Sequence, residues 1–320
     1  MIHLFNGFQN PFGGSELETL SLYRLLREKA EVRLWATSSR ASKELSREFS
    51  ISRPVSAIGR FPRSGTYVFL GAHWRNKLWP YLIPAPRRLI YVFNTFHPKI
   101  IRLTTGMPPL LRWPKAELVL ISEFQKRLLN VQGVVHPSPI DINRFVPSSD
   151  RQRMPLVIGR LSRDTPDKHH PDDLPVYRGL LEEGWDVRIM GGTYLKDKLP
   201  PHPCLSLLPE GAIAAEQFLS SIDVFYYRTG EHVETFGRVV FEAMACGLPV
   251  VCHSHGGYAD HIRHGENGFL FDTTGQAQHI LAELKADPEL RSRIGRNARQ
   301  TVERMFSPAA QADRLDFYLS

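Results

Sequence analysis

The sequence predicts an α/β protein with two Rossmann-like domains, each built on a parallel sheet, that face a central cleft. The chain has 320 residues, about twice the usual length of one domain. Short apolar runs alternate with amphipathic segments in both halves, which is the pattern of parallel strands joined by helical crossovers. The alternation stops in the proline-rich stretch 136–150, which we take as the boundary because prolines at this density interrupt regular structure.

Each half contains short apolar runs, bounded by polar or turn residues, that we predict to be buried strands. The predicted strands are Ile2–Phe5, Val32–Ala36, Tyr67–Leu70, Leu89–Phe93, Leu118–Ile121, Val134–His136, Leu156–Ile158, Val187–Met190, Leu205–Leu208, Val224–Tyr227, Pro249–Cys252 and Phe269–Phe271. The predicted helices are Ser15–Lys29, one capped by Ser122 that ends at Leu129, Asp172–Glu183, Ala214–Ser221, Phe236–Cys246 and two near the C-terminus. Ser15 and Glu18 are expected to form a capping box on the first helix.

The domain organisation follows from these elements. We expect an N-terminal Rossmann-like domain over residues 1–150 and a C-terminal Rossmann-like domain over residues 151–305. Residues 306–320 are predicted to form a helix that packs back on the N-terminal domain. Ligands of parallel sheets bind beyond the carboxyl ends of the strands, so we expect the functional residues in the loops that follow them.

Composition places the chain among ordinary globular proteins. Hydrophobic residues make up 42% and charged residues 23% of the sequence. No apolar run is long enough to span a bilayer, and the first residues lack the features of a signal peptide. The three cysteines lack metal-ligand spacing and are expected to be buried thiols in a reducing compartment. We therefore expect a cytoplasmic protein.

Positive charge is concentrated in the first half. Residues 1–150 contain 21 Lys and Arg against 10 Asp and Glu, and the segment 53–127 contains 13 basic and 2 acidic residues. This excess favours an anionic partner, although a solvated basic surface is the simpler interpretation. Arginines beside tryptophans, as in Trp74-Arg75 and Arg112-Trp113, suit an interface. Peripheral contact with an anionic membrane is one hypothesis, and an acidic or lipid-linked ligand is another.

Glu234 and Glu242 are the strongest candidates for ligand binding. Thr235 and Gly237 indicate the start of a helix, which would place both carboxylates near one face about 12 Å apart. Backbone N–H groups at a helix start bind phosphate, and Gly237 would let a ligand approach closely. Two glutamates on an exposed helix are usually only solvated, but Glu242 lies among apolar residues, where a carboxylate needs a partner. The pattern fits a nucleotide diphosphate sugar along the helix.

The segment Glu234–Val251 resembles the signature of family-4 retaining glycosyltransferases, which have the GT-B fold. The resemblance is dense over residues 156–271 and sparse over residues 1–150. The other segments that carry it are Gly13-Gly14, Ile140-Asp141 with Phe145, Gly159–Leu161 with Lys168, His255–Gly257 and Gly265–Leu270.

The resemblance implies an enzyme that moves a hexosyl or other glycosyl group from a nucleotide diphosphate sugar to the hydroxyl of a glycan or lipid-linked acceptor. UDP is favoured over GDP as the nucleotide, and polysaccharide or glycolipid biosynthesis is the expected context. The N-terminal domain would bind the acceptor and the C-terminal domain the donor. Neither the donor sugar nor the acceptor can be deduced from the sequence.

The resemblance also implies roles for individual residues. Glu242 would bind the ribose, Glu234 would contact the donor sugar, and Arg160 with Lys168 would neutralise the departing diphosphate. Two cations would make a metal unnecessary, and the chain has no Asp-x-Asp motif, so no metal or other cofactor is expected. The remaining expected donor-binding residues are Gly13, Gly14, Thr235, Phe236, Gly237 and Arg238.

Two details of the expected site stay open at this stage. Lys168 is followed by His169, where the family usually has glycine. The loop 162–167 is also longer than the shortest forms in the family, which changes the spacing from Arg160, so Arg163 could share the role of Arg160. Such enzymes often present a histidine after a middle strand of the first domain, and His97 is the best candidate for this catalytic position. His73 and Asn94 are its alternatives.

Other classes of protein explain fewer of these features. An inverting or epimerase-type GT-B enzyme, or a non-catalytic subunit that binds nucleotide sugars, remains possible. A nicotinamide oxidoreductase is disfavoured because no G-x-G-x-x-G turn follows the first strand. A nucleic-acid-binding module would explain the basic charge but not the two glutamates, so no nucleic-acid partner is expected.

Overall fold

The computed structural model describes residues 1–11, 13–52, 61–71, 83–97, 99, 101, 114–148 and 154–320. The chain forms two compact units, Met1–Pro139 together with Pro308–Ser320, and Ile140–Ser307. The change from the first unit to the second falls at Pro139, ahead of the predicted boundary at residue 150. The last helix, Pro308–Leu319, belongs to the first unit.

Within its described residues, the first unit contains a seven-stranded parallel sheet with the order β3-β2-β1-β4-β5-β6-β7. The strands are β1 (Ile2–Asn6), β2 (Val32–Ala36), β3 (Ile51–Ser52), β4 (Thr66–Leu70), β5 (Arg88–Phe93), β6 (Ala116–Leu120) and β7 (Val134–Val135). The helices described in this unit are Gly14–Leu26, Lys43–Glu48, Glu123–Leu129 and Pro308–Leu319.

A row of stacked aromatic side chains crosses the first sheet. These side chains are part of the reason why its strands are apolar in sequence. Phe5 stacks on Phe69 with ring centroids 4.3 Å apart, and Phe69 stacks on Tyr91 at 5.4 Å. Trp35 extends the row from the other side of Phe5. The register places these residues directly opposite one another on β2, β1, β4 and β5. Cross-strand aromatic pairs of this kind stabilise a sheet and fix its register.

The second unit contains a six-stranded parallel sheet, among its described residues, with the order β10-β9-β8-β11-β12-β13. The strands are β8 (Val157–Leu161), β9 (Asp186–Met190), β10 (Leu205–Leu208), β11 (Val224–Tyr227), β12 (Val250–His253) and β13 (Phe269–Phe271). The α-helices described here are Asp173–Glu182, Ala215–Ser220, Arg238–Ala245, Thr274–Ala286 and Pro288–Met305.

The strand order of each sheet reverses beside its first strand. β1 lies between β2 and β4 in the first unit, and β8 lies between β9 and β11 in the second. Loops at the carboxyl ends of the strands at such a reversal form the usual ligand crevice of an open α/β sheet. Gly13-Gly14 follows β1 and the loop 162–169 follows β8, so two of the loops singled out from the sequence lie at these positions.

All twelve predicted strands are present, four with the predicted ends and eight with shifted ends, and the short β3 and the helix Lys43–Glu48 were not predicted. The prediction of a capping box on the first helix is wrong. Gly13 is the N-cap residue, without a side-chain cap, and the hydroxyl of Ser15 donates to Glu16 Oε2 at 2.7 Å. The helix predicted at about Phe236–Cys246 is present and begins two residues later, at Arg238.

Close backbone packing fixes the loop 162–169. Gly191, after β9, has a left-handed φ of 78°, and a Cβ at this position would lie 1.9 Å from the carbonyl oxygen of Ser162. Asp164 accepts hydrogen bonds from the amides of Thr193 and Tyr194, at 3.1 and 3.0 Å. The loop is therefore tied to the segment that follows β9.

We predict that Gly191→Ala destabilises the protein more than Gly184→Ala does. Both glycines have a left-handed φ, 78° and 80°, so alanine costs about 1–2 kcal/mol at either position. Only at Gly191 does the new Cβ also overlap a backbone carbonyl, and overpacking adds about 1–3 kcal/mol. Gly184 has no atom within 4 Å of its Cβ position and serves as the matched control. Urea unfolding measures both losses, and equal losses would contradict this packing.

Candidate functional site

The centre of the candidate site is the carboxylate of Glu234. Its Oε2 accepts hydrogen bonds from Lys168 Nζ at 2.7 Å and from the Tyr227 hydroxyl at 2.8 Å. Lys168 comes from the loop after β8 and Tyr227 ends β11, so this contact joins the carboxyl ends of the two central strands. The Lys168 and Glu234 side chains are 7% and 14% exposed. They form a largely buried charged pair at the reversal of strand order.

The surroundings of Glu234 keep it ionised. Burial raises the pKa of this carboxyl, but the charges of Lys168 and His232 and the hydrogen bonds from Lys168 and Tyr227 outweigh burial and hold the pKa below its usual value. Burial and the charge of Glu234 raise the pKa of Tyr227 well above its usual value. The tyrosine therefore stays protonated and donates to the carboxylate.

Glycines hold the segment that carries Glu234 in place. The amide of Gly257 donates to the carbonyl of Glu234 at 2.9 Å, and a Cβ on Gly257 would lie 1.9 Å from the carbonyl oxygen of Thr235. On the other side, a Cβ on Gly230 would lie 2.6 Å from the carbonyl oxygen of His169. The two loops that flank the charged pair therefore pack backbone against backbone, which only glycine permits here.

His232 is a member of this cluster that the sequence analysis missed. Its Nδ1 lies 3.4 Å from Asp167 Oδ2, and its Nε2 lies 3.8 Å from Glu234 Oε2. Burial and the nearby charge of Lys168 lower its pKa. The only feature of the sequence that could have indicated a role for His232 is its position two residues before Glu234. Its contact with Asp167 depends on the tertiary fold.

The start of the helix Arg238–Ala245 is fixed by packing inside the protein. Gly237 is the N-cap residue with a φ of 86°, and a Cβ there would lie 2.5 Å from Cδ1 of the buried Tyr258. Thr235 and Phe236 are buried as well, and Phe236 stacks on Phe241 with centroids 4.3 Å apart. The side chains of Thr235 and Phe236 thus belong to the interior, which leaves their backbone as the part that could meet a ligand.

Glu242 is the second buried carboxylate of the candidate site and lies on the helix Arg238–Ala245. The residue is 7% exposed, and its Oε1 lies 3.7 Å from a guanidinium nitrogen of Arg238, one turn earlier. Burial raises the pKa of Glu242, while Arg238 and Arg144 act in the opposite direction. A buried carboxylate whose ion pair with Arg238 is this long favours a site that gains hydrogen-bond donors from a ligand. Since the helix begins only at Arg238, Glu234 and Glu242 do not share a helix face, contrary to expectation.

Arg160 lies beneath this cluster rather than at its surface. The residue is 1% exposed, and its guanidinium lies 5.5 Å from the ring centroid of Tyr227. It also hydrogen-bonds to the backbone carbonyl of Lys168. Arg163, considered as an alternative, has a side chain that is 47% exposed and lies 3.7 Å from Asp167.

The first unit holds the remaining predicted residues. A Cβ on Gly13 would lie 2.3 Å from Glu16 Oε2, whereas Gly14 has open space at the same position. His97 is exposed, and Asn94 donates to Glu18 Oε2 at 3.2 Å. His73 lies outside the described residues, as does much of the basic segment 53–127. The role of each of these residues stays a prediction.

Comparison with known proteins agrees with this architecture. Residues 213–301, which include Glu234 and Glu242, match the family model for glycosyl transferases group 1. The chain superimposes on HepE from Anabaena, solved with UDP-glucose, with a TM-score of 0.77 and 17% identity over 99% of this chain and 98% of that one. The two units therefore have the GT-B fold of glycosyltransferases, as predicted.

Curated relatives are similar over part of their length. An exopolysaccharide phosphotransferase from Streptomyces coelicolor is 30% identical over 68% of this chain and 24% of its own. A GDP-mannose-dependent alpha-mannosyltransferase from Mycolicibacterium smegmatis is 31% identical over 51% of this chain and 45% of its own. The match thus spans less than half of either relative. The second unit contains a group 1 glycosyl transferase domain.

The described helices also bear on membrane insertion. None of the helices in the described part of the chain combines the length and the apolar character that crossing a bilayer requires.

We predict that Lys168→Met lowers the free energy of unfolding by about 3–5 kcal/mol at pH 7, because Glu234 is left buried without its cation. In the parent protein the lowered pKa of Glu234 stabilises the fold above the pKa of the unfolded state, and this contribution is lost as pH falls through the folded pKa. In the variant, protonation of Glu234 relieves the unpaired charge instead. The difference between the two proteins should therefore shrink from pH 7 to about pH 4.5.

Urea unfolding at both pH values checks this prediction. Lys196→Met is the control, since Lys196 is an exposed lysine of the same unit and should change stability little at either pH. A loss for Lys168→Met that is small, or that does not depend on pH, would argue against a stabilising Lys168–Glu234 pair.

Proposed function

We propose that the protein is a retaining glycosyltransferase that transfers a sugar from a UDP-sugar to the hydroxyl of a glycan or lipid-linked acceptor. The observation that carries this proposal is the Lys168–Glu234 pair at the carboxyl ends of β8 and β11, directly before the helix that bears Glu242. The glycosyl transferase domain matched over 213–301 supports the reaction class. The name of the exopolysaccharide relative supports a role in polysaccharide or glycolipid synthesis.

The donor would bind along the segment 234–242. Glu242 would accept hydrogen bonds from the ribose hydroxyls, since its buried carboxylate lies 3.7 Å from Arg238, beyond hydrogen-bonding distance, and can accept from other donors. The diphosphate would meet the backbone amides of 236–238 at the helix start, where the helix dipole favours negative charge. Glu234 would contact the sugar hydroxyls, being ionised and held in place by Lys168 and Tyr227.

Charge on the leaving group decides the chemistry. When the bond between the sugar and the diphosphate breaks, negative charge develops on the phosphate, and a preorganised cation lowers the barrier. Lys168 Nζ is held 2.7 Å from Glu234, so its ammonium lies beside the position proposed for the sugar. With such a cation in place we propose that no metal is required, and unchanged activity in EDTA tests this point.

Retention is proposed because Glu234, the carboxylate at the proposed sugar position, is already bound to Lys168 and Tyr227. The inverting route would need a free general base beside the acceptor hydroxyl, and a carboxylate engaged in this way is a weak base as well as a weak nucleophile. We propose attack by the acceptor from the face that the diphosphate leaves, with the departing phosphate taking the acceptor proton. The anomeric coupling constant of the product in a proton NMR spectrum distinguishes this route from inversion. An inverted product would favour the inverting alternative.

The first unit would provide the acceptor side of the enzyme, with His97 as its proposed catalytic residue, and would add Gly13 and Gly14 to the donor-binding residues. Its excess of basic residues supports an anionic or lipid-linked acceptor and peripheral contact with the cytoplasmic face of a membrane. Binding to anionic vesicles should weaken as salt is added, because exposed charges are screened. Salt-independent binding would contradict an electrostatic attachment.

We predict that UDP binds to the protein and raises its melting temperature more than GDP, ADP or dTDP does, because a ligand that binds only the folded state stabilises it. The Anabaena structure with UDP-glucose supports UDP, while the mannosyltransferase relative makes GDP the competing nucleotide. Glu242→Gln should weaken the binding of UDP about tenfold, which is the loss of one charged hydrogen bond to the ribose.

Thermal shift and titration calorimetry measure these effects. Glu182→Gln, an exposed glutamate of the same unit, is the control and should bind UDP like the parent. Lack of binding by all four nucleotides would sink the proposal. Binding without any turnover of nucleotide sugars would favour a non-catalytic subunit.

A further inference from the structure

Tyr258 lies behind the start of the helix Arg238–Ala245 and is completely buried. A Cβ on Gly237, the N-cap residue of this helix, would lie 2.5 Å from Cδ1 of the tyrosine ring, and a Cβ on Gly256 would lie 2.6 Å from Cε1. Both distances are far shorter than a van der Waals contact between carbon atoms. The ring therefore occupies space that only glycine leaves open at these two positions.

The ring of Tyr258, and not its hydroxyl, makes the contacts that matter for the site. The hydroxyl oxygen is buried and has no hydrogen-bond partner in the described part of the chain, and an unpaired buried hydroxyl costs stability. The ring meets Tyr227 edge-on with centroids 5.8 Å apart. The hydroxyl of Tyr227 donates to Glu234, so the same ring supports both a partner of this carboxylate and the N-cap of the helix.

The turn that carries Tyr258 is fixed on both sides of the residue. The amide of Gly257 donates to the carbonyl of Glu234 at 2.9 Å, and the amide of His261 donates to the carbonyl of Tyr258 at 3.0 Å. The ring of His261 in turn meets Phe241, within the helix, edge-on with centroids 5.4 Å apart. The tyrosine ring therefore cannot move away from the N-cap without breaking these contacts.

The opposite end of the helix is held independently. Arg299 Nη1 donates to the carbonyl of Ala245, the last helical residue, at 2.7 Å. Just after the helix, the carbonyl oxygen of Gly247 lies 2.2 Å from the position of a Cβ on Gly295, so backbone packs on backbone there as well. Glu242 belongs to the last turn of the helix. A change at the helix start should therefore leave Glu242 in place.

We infer that Tyr258 is a positioning residue whose ring sets the place of the backbone amides 236–238. The inference rests on the proposed function and deepens it: the diphosphate touches the amides, and Tyr258 acts through Gly237 from behind without touching the ligand. A nucleoside has no phosphates and would not use these amides. Tyr258 should therefore matter for the binding of UDP and not for the binding of uridine.

Dissociation constants of UDP and uridine, from calorimetry and from NMR titration, test this inference. Tyr258→Leu removes the ring and should weaken the binding of UDP about tenfold, because a displaced helix start loses about one hydrogen bond to phosphate. The affinity for uridine should stay unchanged. Tyr258→Phe keeps the ring and removes only the unpaired hydroxyl, so it should bind both ligands like the parent.

Tyr177→Leu is the matched control. Tyr177 is buried in the same unit and its hydroxyl also has no partner among the described residues, while its ring packs edge-on against Tyr226. Since Tyr226 and Tyr227 are successive residues of β11 and point to opposite faces of the sheet, Tyr177 and Tyr258 lie on opposite faces. Both leucine substitutions leave a cavity and should lower the melting temperature, but Tyr177→Leu should bind UDP like the parent.

Gly256→Ala tests the same contact from the other side of the ring. The three atoms nearest to a Cβ on Gly256 all belong to Tyr258, so alanine displaces the ring and should weaken the binding of UDP but not of uridine. Tyr258→Leu makes room for this methyl group, so the double variant should lose little more than Tyr258→Leu alone. If Tyr258→Leu does not fold, Gly256→Ala takes its place in the comparison.

The contrary outcomes separate the inference from the proposed function. Weaker binding of UDP by Tyr258→Phe would mean that the hydroxyl touches the ligand. Equal losses for UDP and uridine in Tyr258→Leu, an equal loss of UDP affinity in Tyr177→Leu, or unchanged binding in Tyr258→Leu would each overturn the positioning role alone. A parent protein that binds no nucleoside diphosphate would overturn the proposed function and the inference with it.

Discussion

The hydrogen bond between Lys168 and Glu234, 2.7 Å long and largely buried, is the contact on which the site depends. It joins the loop after β8 to the segment after β11, and it leaves the carboxylate ionised. Charges buried this far are stable only when paired and hydrogen-bonded. The Tyr227 hydroxyl donates a second hydrogen bond to the same carboxylate oxygen, and the Arg160 guanidinium donates to the backbone carbonyl of Lys168.

Backbone packing makes that contact possible. Gly191, Gly230 and Gly257 each stand where a side chain would overlap a neighbouring carbonyl oxygen, so the loops that carry Lys168 and Glu234 approach more closely than other residues allow. Gly237 has the same kind of explanation, because it packs against Tyr258. These glycines are required by the protein itself, whether or not a ligand also approaches them.

The sequence predicted the fold well and the site in part. Buried parallel strands are almost continuously apolar, which is why runs such as Val224–Tyr227 could be recognised, whereas the two-residue β3 gives no such signal. The helix begins two residues later than expected because Gly237 is its N-cap in a left-handed conformation, which the packing against Tyr258 favours. The burial of Arg160 and the contacts of His232 could not be deduced, because they arise where strands and loops distant in sequence meet.

The central claim is that the Lys168–Glu234 pair receives the sugar and diphosphate of a nucleotide-sugar donor. A crystal structure of the protein with UDP bound tests this claim most directly. The account predicts a β-phosphate oxygen within hydrogen-bonding distance of Lys168 Nζ and ribose hydroxyls on Glu242. A nucleotide whose phosphates lie away from Lys168 would contradict it.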